Sequence, residues 1–421
     1  MLLDESDGTN MDFDTKLANY ADLIVRHGLN VQPGQVVNIG AEVIHRDLVV
    51  AIVEAAYACG AKLVDVDLTD ARVFKTRLER AGEADLDFVP RYITERYKDI
   101  VETTGANLKI IGSEDPDVLS QLDPKRVNRA RVAAHKAVRH FYDEGIAKSR
   151  VHWTVASAAT PAWGKKVFPE LSPEEAHLRL WDEIFRICRA DQPNCVELWK
   201  EHNAELHARA RHVTELGIRE LHFTGPGTDL VVGLSPKAVF RGGSDRSPRG
   251  VDFEPNLPTE EVFTTPDYRA TRGHVRATRP FLVSGKLVEE LEMVFENGVL
   301  SSFRAKSGAE ALEEYVNSDE GGRRLGEVAL VGIDSPVYRS GRVFQEILLD
   351  ENAACHIAVG QAYKFCLDGG ESMTAEELTA IGCNESSVHT DMMISSEEVD
   401  VVAHTFDGRS VPLIRNGEWA I

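Results

Sequence analysis

The N-terminal half of the chain alternates between helical and strand-like patterns of apolar residues. From Phe13 onwards, apolar residues recur at three- and four-residue steps, which predicts a first helix. Segments 36–40 and 62–68 have the character of buried strands, and segment 46–59 between them predicts a second helix. A strand, a helix and a strand within about 35 residues form a βαβ unit, so we expect a largely parallel sheet.

The same alternation continues to residue 215. Further strands are predicted at 106–112 and 151–156, and further helices at 84–104, 124–144, 173–188 and 193–215. The glycines around the first strand do not form a Gly-x-Gly-x-x-Gly motif, so no dinucleotide site is predicted. The basic helix 124–144 is interpreted as a solvated face rather than a phosphate site. We predict an N-terminal α/β domain over residues 1–215, whose polar segment 1–13 is a loose leader.

The pattern changes from Glu220 to short segments of alternating apolar and polar residues. Such segments, separated by turn residues, are typical of antiparallel strands. Ser284-Gly-Lys and Glu296-Asn-Gly have the composition of hairpin turns, and a short helix is predicted at 309–315. Residues 216–421 are therefore predicted to form an α+β, mainly antiparallel C-terminal domain.

Composition and charge exclude several classes of partner. The 47 Lys and Arg residues against 68 Asp and Glu residues give a net charge of −21, which argues against nucleic acid and anionic membranes. No apolar run approaches the roughly 18 residues of a membrane span, and no signal peptide is evident. The 6 cysteines show no Cys-x-x-Cys pair. We expect reduced, mostly buried thiols in a cytoplasmic protein.

Candidate metal ligands lie on apolar segments of the C-terminal half. They are Glu327, His356, His389 and Asp391. Imidazole nitrogen and carboxylate oxygen bind zinc-like divalent ions, and an ion compensates charges that are costly to bury alone. Two of the side chains, at positions 389 and 391, share one face of a strand. A fifth ligand is expected within 256–266.

Each candidate also has an ordinary structural interpretation. A lone histidine in an apolar segment is more often a hydrogen-bonded core residue, and a lone strand glutamate more often faces water. The metal hypothesis therefore depends on the four residues occurring together. The histidines on polar helices are assigned surface roles: His135, His140, His202, His207 and His212.

Several ordered motifs resemble one family. The matching blocks are Asn256–Pro266 (NLPTEEVFTTP), Leu325–Val331 (LGEVALV), Asn352–Tyr363 (NAACHIAVGQAY) and Val388–Ile394 (VHTDMMI). They are similar to blocks of the thermophilic aminopeptidase family, the aminopeptidase T and aminopeptidase S type of dinuclear metallopeptidases. The likeness extends from about residue 13 to the end of the chain.

The resemblance implies a two-metal site and its ligands. The implied ligands are one member of the Glu260–Glu261 pair, with spacing favouring Glu261, together with Glu327, His356, His389 and Asp391. The ions would be zinc, cobalt, manganese or magnesium. The implied activity is release of N-terminal residues from short peptides, commonly leucine or an aromatic residue, by a homodimer.

Catalytic roles also follow from the resemblance. Either Glu327 or the member of the pair that is not a ligand, Glu260, would transfer the proton of the attacking water. Tyr363 matches an active-site tyrosine that would hydrogen-bond the oxyanion. Without the resemblance, Tyr363 is interpreted as a core aromatic residue.

Two other functions remain open at this stage. A ring-cleaving dioxygenase of the dihydroxypyridine type resembles this family in fold, and it would hold a single iron with His356, His389 and Asp391. A metal-free binding or structural protein is the third reading. The presence of Glu327 and the Thr259–Glu261 block, which together suffice for two metals, favours the peptidase.

Overall fold

The computed structural model describes residues 11–421, and the chain divides into two compact units. One unit contains residues 11–200 together with Ser244–Leu257; the other contains Glu201–Gly243 and Pro258–Ile421. The predicted domain boundary at residue 215 stays a prediction. The first ten residues of the predicted leader lie outside the described residues.

Helices and strands alternate in the N-terminal part, and strands dominate the C-terminal part. The helices are α1 Phe13–Leu23, α2 Arg46–Ala58, α3 Ala71–Arg80, α4 Arg91–Glu102, α5 Pro124–Ala137, α6 Pro161–Val167, α7 Pro173–Ile187, α8 Cys195–Glu215, α9 Ala309–Val316, α10 Pro336–Arg339, α11 Ile347–Asp350 and α12 Ala375–Ala380. The strands are β1 Val36–Glu42, β2 Leu63–Thr69, β3 Ala106–Ile111, β4 His152–Ser157, β5 Ile218–Gly225, β6 Thr228–Gly233, β7 Asp245–Arg246, β8 Asp252–Phe253, β9 Asn256–Leu257, β10 Val262–Thr264, β11 Arg272–Arg276, β12 Phe281–Val283, β13 Lys286–Val288, β14 Glu292–Glu296, β15 Val299–Arg304, β16 Leu325–Leu330, β17 His356–Gly360, β18 His389–Met393, β19 Asp400–Thr405, β20 Ser410–Arg415 and β21 Glu418–Trp419.

The N-terminal unit is built on a parallel sheet, which confirms the prediction for this part of the chain. Its strand order is β2-β1-β3-β4-β9, and every neighbouring pair is parallel. Helix α2 turns Leu48, Ile52 and Ala56 inward at four-residue steps, which buries one face of the helix. In α5, the side chain of Arg129 pairs with Asp87, as expected for a solvated basic face.

The C-terminal unit is mainly antiparallel, also as predicted. An eight-stranded sheet has the order β15-β14-β11-β6-β5-β19-β20-β21, and a four-stranded sheet has the order β10-β16-β17-β18. The two predicted hairpin turns are present between β12 and β13 and between β14 and β15. Asn297 and Gly298 in the second turn have φ of 50° and 78°, the left-handed values that such tight turns require.

Further features bear on the broad class of the protein. Among residues 11–421, no helix combines the length and apolar character needed to cross a bilayer. All cysteines are free thiols, and each is buried except Cys59, which is half-buried. Every residue of the two central strands of the four-stranded sheet, β16 and β17, is buried.

Candidate metal centre

The four-stranded sheet places the predicted ligands beside one another. Strand register aligns Glu327 of β16 with Ala358 of β17, and Ala358 with Asp391 of β18. Directly paired residues of an antiparallel sheet project from the same face, so the two carboxylates flank a small side chain. His356 and His389 lie two residues from Ala358 and Asp391 on their own strands and therefore share that face.

The remaining carboxylate comes from the residue just before β10. Glu261 Oε2 lies 3.1 Å from His356 Nε2, which in turn lies 3.9 Å from Glu327 Oε1. On the other side, His389 Nε2 lies 3.3 Å from Glu327 Oε2 and 3.5 Å from Asp391 Oδ1. The five side chains thus form one continuous cluster with Glu327 at its middle.

Two ligand groups can be distinguished within this cluster. Glu261, Glu327 and His356 form one group, and Glu327, His389 and Asp391 form the other. In each group one potential ligand atom per residue lies within 4.8 Å of the others. Glu327 belongs to both groups because its two oxygens face different histidines: Oε1 faces His356 and Oε2 faces His389.

Backbone carbonyls orient both imidazoles. His356 Nδ1 lies 3.2 Å from the Ala354 oxygen, and His389 Nδ1 lies 2.9 Å from the Gln361 oxygen. A ring nitrogen that donates to a carbonyl leaves the other nitrogen available as a metal ligand. The hydrogen bonds therefore present Nε2 of each ring to the carboxylates.

Close strand packing also positions His389. Gly360 is the partner of His389 in the β17–β18 pair and has φ of 106°. A Cβ at position 360 would lie 1.9 Å from the Val388 oxygen. Only glycine allows β17 to approach the segment that leads into His389 this closely.

Burial and charge make the cluster suitable for a cation. Exposed fractions are 8% for Glu261, 4% for Glu327, 1% for His356 and 7% for Asp391. Burial, together with the carboxylates of Glu261 and Asp391, raises the pKa of Glu327 to about 7, although the nearby His389 imidazole lowers it. Buried carboxylates that repel one another gain stability from a divalent ion.

One buried oxygen provides a direct test of this fit. Glu261 Oε2 is buried and has no hydrogen-bond partner, and the nearest imidazole nitrogen, His356 Nε2, is 3.1 Å away as an ion-pair contact. A buried polar atom without a partner costs about 1–3 kcal/mol, and coordination of a metal would remove this cost. The residues therefore fit a metal ion.

The second glutamate of the pair lies outside both ligand groups. Glu260 Oε2 lies 3.3 Å from His202 Nε2, and its backbone N–H donates to Asn352 Oδ1 at 2.7 Å. The prediction of a surface role for His202 is wrong, since its side chain is only 12% exposed. Its Nε2 also lies 2.8 Å from the Thr259 oxygen, so helix α8 contributes a residue to this site.

Tyr363 lies beside the cluster at its predicted place. Its hydroxyl is 3.4 Å from His389 Nε2, and its ring stacks on Phe365 with centroids 5.1 Å apart. Burial raises the pKa of the Tyr363 hydroxyl well above its usual range, and the carboxylates of the cluster add to this effect. The hydroxyl therefore remains protonated and able to donate at neutral pH.

Sequence reasoning missed one acidic residue near the cluster. Burial, Glu261 and Asp391 raise the pKa of the Glu351 carboxyl well above its usual range. This residue lies in the helical turn between α11 and β17, five positions before His356. Its place in a short acidic stretch, Leu-Asp-Glu-Asn, indicated only a polar turn, so the sequence carried no signal for it.

The fold and the cluster define a metal-binding protein whose mainly antiparallel unit contains the centre. Residues 13–419 match the family described as thermophilic metalloprotease (M29), and the chain belongs to this family. The resemblance inferred from the motifs is thereby confirmed.

Similar proteins cover nearly the whole chain. Aminopeptidase T of Thermus aquaticus is 44% identical over 97% of this chain and 99% of its own length. Aminopeptidase AmpS of Bacillus subtilis (strain 168) is 40% identical over 97% of this chain and 99% of its own length. The solved structure of wild-type AmpT from Thermus thermophilus has a TM-score of 0.89 at 41% identity and covers 97% of this chain and 100% of that chain.

Proposed function

We propose that this protein is a metal-dependent aminopeptidase that releases N-terminal residues from short peptides and uses two divalent ions. The observation that carries the proposal is the pair of ligand groups joined by Glu327. The likeness to proteins named aminopeptidase T and AmpS supports the activity.

Each ligand group would hold one ion. Glu261, Glu327 and His356 would bind the first, and Glu327 with His389 and Asp391 would bind the second. When bound, such ions lower the pKa of a water molecule and polarise the scissile carbonyl. Zinc, cobalt, manganese and magnesium all accept mixed nitrogen and oxygen ligands of this kind.

Glu260 is the carboxylate that we assign to proton transfer. Both oxygens of Glu327 face imidazoles of the ligand groups, whereas Glu260 lies outside these groups and next to Glu261. Its Oε2 lies 3.3 Å from His202 Nε2, which holds the carboxylate in place. A carboxylate so placed can take the proton of the attacking water and return it to the leaving amine.

Tyr363 is assigned to the oxyanion. Its hydroxyl points at the cluster from beside His389 and is held protonated by burial. A donor aimed at the developing negative charge stabilises the transition state more than the substrate. The stacked Phe365 ring and the edge-on Phe263 ring fix the orientation of the tyrosine.

Other parts of the proposal concern the whole protein. The resemblance to the aminopeptidase family supports a homodimer, and the buried free thiols suit a cytoplasmic location. The excess of acidic residues suits a substrate that carries a free, positively charged amino terminus.

The cluster geometry does not favour the single-iron dioxygenase. That function requires His356, His389 and Asp391 to act on one ion. Within the described residues, His356 groups with Glu261, whereas His389 and Asp391 form the other group, with Glu327 common to both. Two adjacent sites therefore account for all five side chains better than one site.

Hydrolysis of leucine p-nitroanilide tests the proposal. Chelated protein should be inactive and should recover activity with zinc, cobalt or manganese, whereas His389→Ala should stay at background with every metal. His404→Ala is the matched control. His404 also lies on a strand, but it belongs to neither ligand group, and its Nδ1 lies 2.9 Å from Ser410 Oγ. Absence of turnover with any metal, alongside one bound iron, would instead support the dioxygenase.

A further inference from the structure

We propose that Tyr315 is a positioning residue that fixes the backbone of His389 and thereby sets the geometry of the second ligand group. The inference rests on the proposed role of His389 as a metal ligand. Tyr315 belongs to helix α9 and is not itself a member of either ligand group.

The tyrosine hydroxyl makes two hydrogen bonds to one residue. It donates to the His389 carbonyl oxygen at 2.8 Å and accepts from the His389 N–H at 3.1 Å. A single side-chain oxygen therefore satisfies both backbone polar groups of the histidine. A hydroxyl oxygen can donate and accept at the same time, and a phenylalanine at this position could do neither.

The position of His389 in its strand explains why this is needed. Strand β18 lies at the edge of the four-stranded sheet. Although Gly360 is its partner in register, the Gly360 N–H donates to Arg324 and the next N–H, of Gln361, donates to Val388. The backbone groups of His389 thus face away from β17, towards the open edge. Tyr315 takes the place of the missing strand there.

Helix α9 packs against the core of the C-terminal unit, and Tyr315 is itself partly buried against that core. Leu312 and Val316 are fully buried in the hydrophobic core of the C-terminal unit. Residues three and four positions apart lie on one helical face, so the anchors at 312 and 316 hold Tyr315 on the same side. The strand edge is therefore attached to an element that is itself well packed.

Two sets of contacts position His389: one orients its ring and the other holds its main chain. The Gln361 carbonyl holds the ring through Nδ1 at 2.9 Å, which sets the tautomer and the ring orientation. Tyr315 binds the main-chain N–H and carbonyl of His389, which fixes the position of the backbone from which the ring projects. Since Nε2 must stay near both Glu327 and Asp391, a shift of the main chain moves the ligand atom even when the ring hydrogen bond survives.

Tyr315→Phe tests the inference, because it removes only the hydroxyl. Cobalt binding to the chelated full-length protein should weaken about 10–100-fold for one of the two ions, the usual range for loss of a supporting hydrogen bond at a metal site. The visible absorption spectrum of the cobalt protein should change, which reports ligand geometry independently of activity. With leucine p-nitroanilide, kcat should fall while KM changes little.

Tyr338→Phe is the matched control. The Tyr338 hydroxyl donates to Glu397 in the same unit, and among the described residues it makes no hydrogen bond to His389. The melting temperature should fall by a similar, small amount in both variants, whereas the cobalt affinity and spectrum should change only in Tyr315→Phe. Equal cobalt binding in the two variants would overturn the inference.

Hydrogen exchange gives a readout that needs no metal. In the chelated protein, the peptide spanning residues 388–393 should exchange faster in Tyr315→Phe than in wild type, because the His389 N–H loses its partner. Unchanged exchange would also count against the inference. His389→Ala separates the two levels of the account: if this variant binds two cobalt ions normally, the proposed function fails, whatever Tyr315→Phe does.

Discussion

At the scale of single residues, Tyr363 gives the sharpest test of the chemistry. Burial keeps its hydroxyl protonated, so it can donate to an oxyanion at neutral pH. Tyr363→Phe should lower kcat about 10²–10³-fold with little change in KM, because the hydrogen bond strengthens only in the transition state. Steady-state kinetics with leucine p-nitroanilide measure both constants. Unchanged kcat would remove Tyr363 from catalysis.

Residue types predicted the cluster better than they predicted its surroundings. Glu327, His356, His389 and Asp391 were visible from the sequence because charged side chains in apolar strands need compensation. His202 was not, because its helix is polar along the sequence and its proximity to Glu260 arises only in the folded chain. Contacts between distant segments leave no local pattern.

At the scale of elements, the proposed metal site depends on a small side chain, Ala358, between the carboxylates of two neighbouring strands. Ala358 is fully buried and lies in register between Glu327 and Asp391. Ala358→Val should place two methyl groups in the space that the proposed ions would occupy and weaken cobalt binding by at least about tenfold. Isothermal titration of the chelated protein with cobalt measures this effect.

The control for that substitution is the same change on another buried strand. Ala403 of β19 is equally buried in the eight-stranded sheet. Both variants should lose about 1–3 kcal/mol of stability from overpacking, as measured by denaturant unfolding. If Ala358→Val and Ala403→Val bind cobalt equally well, the ions do not lie over the Glu327–Ala358–Asp391 row.

Strand periodicity accounts for part of this arrangement. The two-residue spacing of His389 and Asp391 correctly implied one shared face if the segment formed a strand, which β18 confirms. The pairing of β16 with β17 and of β17 with β18 was not predictable, because register depends on which strands meet in the folded sheet. The sequence alone therefore could not show that Ala358 lies between two carboxylates or that Gly360 pairs with His389.

At the scale of the whole molecule, the sequence predicted the two kinds of sheet but not the path between them. The parallel and antiparallel patterns are local and were read directly. The segment Ser244–Leu257 returns to the N-terminal unit through β9, a strand of two residues that pairs with β4. So short a strand has no periodicity to detect, and its pairing partner lies about a hundred residues earlier in the chain.

The number of bound ions tests the central claim most directly. Chelated protein is dialysed against zinc or cobalt, and metal per chain is measured by mass spectrometry. Wild type should bind two ions and Glu261→Gln one, because this change removes a ligand from the first group only. The exposed Glu376→Gln is the control and should bind two. A single ion in the wild type, or two in Glu261→Gln, would contradict the two-metal account.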